Sequence, residues 1–198
     1  MLLILTRPDL AAQETNAIAI SEWSEPVDYS ADGKNCALLR GRILILEGRS
    51  PAHAGKLVET QVYLELQNVS TSVTGPMLLY FDPREGMKCE LQDALGRPAP
   101  EEGSGGSGSF PSACWITLPY DSTTRLRTSW YGYGMAHEYG LMIPLFHPLT
   151  IRANNTNDYY LSGTFTVTPP TNRVSPLDYC VWRGTLNIPK TKIQVRRP

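Results

Sequence analysis

The chain has no apolar run long enough to cross a membrane. A helical span needs roughly 18 to 20 consecutive apolar residues, and the uninterrupted stretches here, such as Met1–Leu5 and Ile43–Leu46, are a handful long. The four cysteines, Cys36, Cys89, Cys114 and Cys180, contain no C-x-x-C pair. Zinc-ribbon and dithiol redox chemistry therefore lack their spacing. Histidine is scarce: His53, His137 and His147 are the only three. His137-Glu138-Tyr139 opens like a zincin motif, but Leu141 stands where the second histidine would be. A nucleophile elbow around Ser107 fails because Ser109 occupies the place of its second glycine. No Gly-Lys-Ser/Thr closes a phosphate loop, and Glu101-Glu102 in the same tract read as a solvated pair. No metal, cofactor or catalytic group is implied, and the chain is expected not to be an enzyme. A hydrolase whose site is assembled from distant loops is the third reading, because spacing tests do not see such sites.

Charge of one sign is missing as well. The formal net charge is −1, so no global field recruits nucleic acid or an acidic membrane surface. The distribution is uneven: residues 1–37 hold Arg7 and Lys34 against Asp9, Glu14, Glu22, Glu25, Asp28 and Asp32, whereas residues 183–198 hold five basic residues and no acid. The basic end reads as a solvated last strand. Arg125 and Arg127 near the aromatics do not make a groove for single-stranded nucleic acid.

Sustained helical periodicity is also absent. Only Asp9–Ile20 has a helical composition, with Asp9 as a cap after Pro8. Residues 1–37 are read as an N-terminal extension, carrying that short helix or the remnant of a signal peptide. The Ala11-Ala12-Gln13 junction resembles a processing site, though the preceding apolar stretch is short. Sixteen glycines and sixteen prolines make about 16% of the chain, above the average of roughly 12%, and punctuate short strands.

What is there is alternation with a period of two. Ile43–Leu46 is apolar on both faces, as in a strand covered on both sides or one at a sheet-switching point. Val62, Leu64 and Leu66 alternate with Tyr63, Glu65 and Gln67, which predicts a half-buried strand with one wet face. Met87, Cys89 and Leu91, then Cys114, Ile116 and Leu118, repeat the pattern. Pro144 marks an edge or bend in Leu141–Leu145, and Gly163 a close approach or bulge within Tyr159–Val167. The inward parity of Leu186 and Ile188 passes to Ile193 and Val195 after Pro189, which predicts a bulge or a crossing. Eight to ten short strands without intervening helices point to an all-β fold, a two-sheet antiparallel sandwich. Residues 38–198 are read as this single domain, interrupted by a flexible Gly/Ser-rich loop at 97–112.

The alternation resembles immunoglobulin-like and fibronectin-like domains, which share sandwiches without sharing sequence. The antibody-type signature is not met, since Tyr179 adjoins Cys180 instead of standing two residues before it.

The most suggestive feature is aromatic. Trp115, Tyr120, Trp130, Tyr131, Tyr133 and Tyr139 fall within 25 residues. Such rings line protein interfaces and sugar platforms because each joins a large apolar face to a polar tip. The expected function is a non-catalytic module for protein–protein contact or structural spacing, with carbohydrate binding on this aromatic surface as the alternative. The expected partner is a protein or a glycan, and the expected location is extracytoplasmic, secreted or periplasmic. Cys89 and Cys114 are the candidate disulfide, provided their strands are antiparallel neighbours. Two sequons, Asn68-Val69-Ser70 and Asn154-Asn155-Thr156, would carry glycans only in a eukaryotic secretory protein.

Overall fold

The computed structural model describes residues 17–28, 38–48, 58–70, 76–99, 112–128, 140–143, 145, 149–152, 157–169 and 180–193. Every regular element among them is a strand. In chain order these are β1 (Ala17–Ile20), β2 (Val27–Asp28), β3 (Leu38–Gly48), β4 (Val58–Asn68), β5 (Met77–Phe81), β6 (Met87–Asp93), β7 (Cys114–Leu118), β8 (Thr123–Arg127), β9 (Gly140–Ile143), β10 (Leu149–Arg152), β11 (Tyr159–Val167), β12 (Cys180–Val181) and β13 (Gly184–Ile193). Among the described residues no helix is long and apolar enough to cross a membrane.

The all-β reading holds, in three mainly antiparallel sheets. The largest has seven strands in the order β1-β3-β4-β9-β10, with β2 also against β3 and β8 also against β4. Long strands make this branching feasible. The ten-pair ladder from Leu39↔Asn68 to Gly48↔Glu59 leaves the far edge of β4 free for β8 along Tyr63–Gln67 and for β9, in parallel, at Val58–Glu59. The second sheet is β13-β11-β6 and the third β12-β5-β7.

Alternation decides what each sheet buries. Leu39, Ile43, Ile45, Val62, Leu64, Leu66 and Leu126 join one core cluster with Leu161, Phe165, Leu186 and Ile188 of the second sheet and Met77, Leu79 and Phe81 of the third. Phe81 and Phe165 meet at 6.2 Å between ring centroids, tilted by 43°. Burying side chains of this size stabilises by about 1.5–3 kcal/mol each. Ile43 to Leu46 are all buried, as the doubly apolar pattern requires.

Gly163 does what its position suggests. A Cβ there would lie 2.8 Å from the Lys88 carbonyl oxygen and 3.1 Å from Cys89 Sγ, so the missing side chain lets β11 lie close against β6 within their sheet. The bulge near Pro189 is also present. Leu161 faces Thr191 while Gly163 faces Ile188, so a step of two residues on β11 spans three on β13. The extra residue moves the inward parity onto Ile193.

Three expectations need correction. Ala17–Ile20, the end of the expected helix, is strand β1, hydrogen-bonded to β3. A long β3 edge offers these residues a ladder, and a register shift between Ala17 and Ala19 lets both Ile18 and Ala19 turn inward. Tertiary pairing here overrides a weak helical propensity. Residues 9–16 of that helix lie outside the described residues, but β1 and β2 show that residues 17–28 pair within the same sheet as β3. Second, the wet face of β4 is not wet throughout, because Glu65 is 1% exposed. Third, the 97–112 loop is not loop from its start. The Ala99 N–H donates to the Leu91 carbonyl at 2.8 Å, and Pro98 bridges Gln92, so residues 97–99 fold back along the β6 edge. Residues 100–111 lie outside the described residues.

Candidate functional site

Of the six aromatic residues put forward from sequence, the described residues include two, Trp115 and Tyr120; Trp130, Tyr131, Tyr133 and Tyr139 lie outside them, as do all three histidines and Asn154. Trp115 lies on β7, on the face opposite the buried Ile116 and Leu118. Its cross-strand neighbour is Tyr80, and the two rings meet edge to face, 5.4 Å apart and inclined at 68°. Rings packed this way are a mutually supporting pair and not a flat platform. Tyr120 follows in the turn to β8, 55% exposed, and is with Leu95 one of two exposed large apolar side chains among the described residues.

That turn is tightly held. Asp121 adopts the left-handed conformation at φ 49°, which Asp tolerates better than most residues. Ser122 Oγ donates to the Pro119 carbonyl at 2.6 Å. From β4, the Asn68 backbone N–H donates to the Ser122 carbonyl at 3.2 Å and Nδ2 to the Leu118 carbonyl at 3.3 Å. Asn68 Oδ1 in turn accepts from Ser70 Oγ at 2.6 Å. Asn68 is thus a fully buried clamp, and its side-chain nitrogen is used inside the fold, where no glycan reaches it. Asn68→Ala should cost about 1–3 kcal/mol, the usual cost of leaving buried polar groups unpaired, here the Leu118 carbonyl and the Ser70 donors. Urea denaturation reads that loss, and a cost below half a kilocalorie would mean the clamp is not made.

The two candidate cysteines are free. Their strands do not meet as the bridge requires: β6 pairs with β11, whereas β7 pairs with β5 in another sheet. Cys89 faces inward between Met87 and Leu91, its sulfur 3.1 Å from the Cβ position absent at Gly163. Burial pushes its thiol up from 9.0 to about 12, and burial raises Cys114 as well. Only the thiolate is nucleophilic. At pH 8, iodoacetamide should therefore leave Cys89 unmodified in the native protein and label it in urea, as read by peptide mass spectrometry. Equal labelling in both states would contradict this enclosure. Because the folded value exceeds the unfolded one, the Cys89 contribution to stability is complete below pH 9 and is lost as pH rises towards 12.

A second constellation was not visible strand by strand. On the outward face of the seven-stranded sheet, residues of β3, β4 and β8 form cross-strand rows: Arg40, Gln67 and Thr123, then Arg42, Glu65 and Arg125. In the second row Arg125 donates to Glu65 Oε1 from Nε at 2.8 Å and from Nη2 at 2.5 Å, while Arg42 Nε donates to Oε2 at 2.6 Å. Glu65 and Arg125 are both buried, and Tyr63 lies beneath Arg125, its ring 5.7 Å from the guanidinium carbon. In the first row Arg40 donates through Nε and Nη2 to Gln67 Oε1 at 2.9 and 2.7 Å.

Trp23 covers both rows. The Arg40 and Arg42 guanidinium carbons sit 4.9 and 4.7 Å from its ring centroid, within the range of cation–π attraction. The segment Ser21-Glu22-Trp23-Ser24-Glu25, between β1 and β2, carries it there. Ser21 and Ser24 send their backbone N–H groups to the carbonyls of Ile43 and Gly41. Their hydroxyl oxygens accept the N–H groups of the same two residues, each at 3.0 Å. Two serines at this spacing continue the β-ladder with side-chain oxygens, and Trp23, one of the two residues between them, faces the guanidiniums. The Ser-Glu repeat around a tryptophan was the sequence signal. The rows themselves needed the strand register.

No protein-family model, curated protein or solved structure matches the chain.

Proposed function

We propose that the chain is a non-catalytic module of immunoglobulin-like sandwich architecture that makes protein–protein contacts outside the cytoplasm. The observation that carries the reading is the exposed Tyr120 on a turn locked by Asn68. An anchor already fixed loses little conformational freedom on binding, and exposed tyrosines with that property are characteristic interface hot spots. Trp115 lies on β7, the strand that leads into this turn. The free thiols lend no support to the extracytoplasmic location, which rests on the architecture and on the N-terminal segment.

The carbohydrate alternative uses the same residues but needs coplanar rings. The 68° inclination of Tyr80 against Trp115 favours a protein contact. A photo-crosslinking amino acid at position 120, compared with the same group at Glu85, tests the reading in the source organism. A discrete protein adduct formed from position 120 and not from position 85 supports it. Adducts equal at both positions, or calorimetric heat with a glycan panel that disappears in Trp115→Ala, would overturn it.

A further inference from the structure

We propose that the first row of the outward sheet face, Arg40 with Gln67, Thr123 and Trp23, is a recognition site for a carboxylate side chain presented by a partner protein. The argument is a comparison of two adjacent rows with the same construction. In each, an arginine on β3 sends its Nε to a side-chain oxygen of its cross-strand neighbour on β4, at 2.9 Å for Arg40 and Gln67 and at 2.6 Å for Arg42 and Glu65. In each, the guanidinium also lies under Trp23.

The rows differ in charge and in exposure. The second row contains its own carboxylate, Glu65, and is sealed: Glu65 and Arg125 are 1% and 6% exposed. The first row has the neutral amide of Gln67 in the carboxylate's place. Arg40 is half-buried, Gln67 is half-buried and Thr123 is exposed. Among the described residues Arg40 meets only Gln67 and the Trp23 ring, so its positive charge has no counter-ion there and its Nη1 makes no hydrogen bond. A guanidinium held in place by a ring and an amide, with one donor edge unused, is pre-organised for a carboxylate.

The chemistry selects among anions. Glu22 and Glu25 flank Trp23 and are exposed, so their charges disfavour a long polyanion such as single-stranded nucleic acid. The Trp23 ring is already engaged by two guanidiniums and is not free to stack a base. A single acidic side chain in an otherwise neutral segment fits the site best. This row adjoins the Tyr120 turn, since Thr123 follows Ser122, but it shares no residue with that turn, and the inference does not rest on a contact made by Tyr120.

The test is a nuclear magnetic resonance titration of the full chain, following Arg40 Nε–H and Trp23 Nε1–H. The probe is a blocked Gly-Thr-Glu-Thr-Gly peptide, and its Gln analogue is the control. The site predicts saturable shifts with the Glu peptide and none with the Gln analogue. Binding should weaken about tenfold in Arg40→Gln, a typical effect of losing one charged hydrogen-bond partner. It should weaken equally in Gln67→Glu, which supplies the missing carboxylate from within, while the dispersed spectrum shows that the fold is kept. Tyr120→Ala should bind as the parent does. The proposal is overturned by an absence of saturable shifts, by equal response to the Gln analogue, or by undiminished binding in Gln67→Glu. It is equally overturned if Tyr120→Ala abolishes binding, or if inorganic phosphate or an eight-nucleotide thymidine strand binds the same resonances more tightly than the peptide.

Discussion

Glu65→Ala is expected to lower the stability of the chain by about 3–5 kcal/mol, the usual cost of removing one partner from a buried ion pair. The reason is the triad on the outward sheet face. Glu65 is the carboxylate between Arg125 and Arg42, with contacts of 2.5 and 2.6 Å, and its side chain and that of Arg125 are each 2% exposed. Removing the carboxylate takes from the buried Arg125 guanidinium the hydrogen bonds it makes to Oε1. For a domain of this size each kilocalorie moves the midpoint by roughly 2–4 °C, so thermal unfolding should fall by on the order of 10 °C. Urea denaturation gives the free energy directly. Glu65→Gln keeps the shape and one acceptor but not the charge, and should fall between the parent and alanine. Replacing Glu65 and Arg125 together by leucine and methionine should recover much of the loss, because well-packed apolar residues often match a buried pair in stability. A Glu65→Ala cost under 1 kcal/mol would show that the triad is solvated.

Trp182→Ala should destabilise by a similar amount, about 3–5 kcal/mol, through the cavity it leaves. Trp182 is among the largest fully buried side chains, and it ties separate parts of the fold. Its backbone N–H donates to the Leu78 carbonyl of β5 at 2.8 Å, and its Nε1 donates to the Val27 carbonyl of β2 at 3.2 Å. Gly184 accommodates the ring. At φ 152° it holds a conformation rarely open to other residues, and a Cβ there would lie 3.2 Å from two indole carbons. Trp182→Phe separates the two contributions, since it keeps most of the volume and removes the Nε1 donor. It should cost about 1–3 kcal/mol and should speed amide exchange of Val27 and Asp28 more than that of the β3–β4 ladder. If Trp182→Phe proves as damaging as alanine, with exchange raised uniformly, the tether to β2 is not an independent contact.

Both predictions rest on features that sequence reading caught unequally. Arg125-Leu126-Arg127 alternates as a strand does, but nothing in it separates a buried arginine from a solvated one. The distinction arises where β8 docks on β4 and places Arg125 opposite Glu65, 60 residues away. Likewise Asn68 stands in a sequon, and only the β7–β8 turn folded over it shows its amide used inside the fold. The pairing of Cys89 with Cys114 failed for the same kind of reason: matching inward parity says that each thiol faces a core, not that the two strands are neighbours. Asp9–Ile20 shows the converse error, where local composition favoured a helix and an available sheet edge imposed a strand on its last four residues.

The sequence by itself determined the all-β class, the inward faces of β4, β6, β7, β11 and β13, the close approach at Gly163 and the bulge before Ile193. These follow from side-chain period and local backbone chemistry, which each short segment carries alone. Tertiary structure decided which strands are neighbours, that the outward face of the largest sheet carries a charge triad around a buried carboxylate beside an arginine with no counter-ion among the described residues, and that Tyr120 stands on a locked turn. Those depend on register between segments far apart in the chain, and register is fixed only when the sheets form and one face of each is buried.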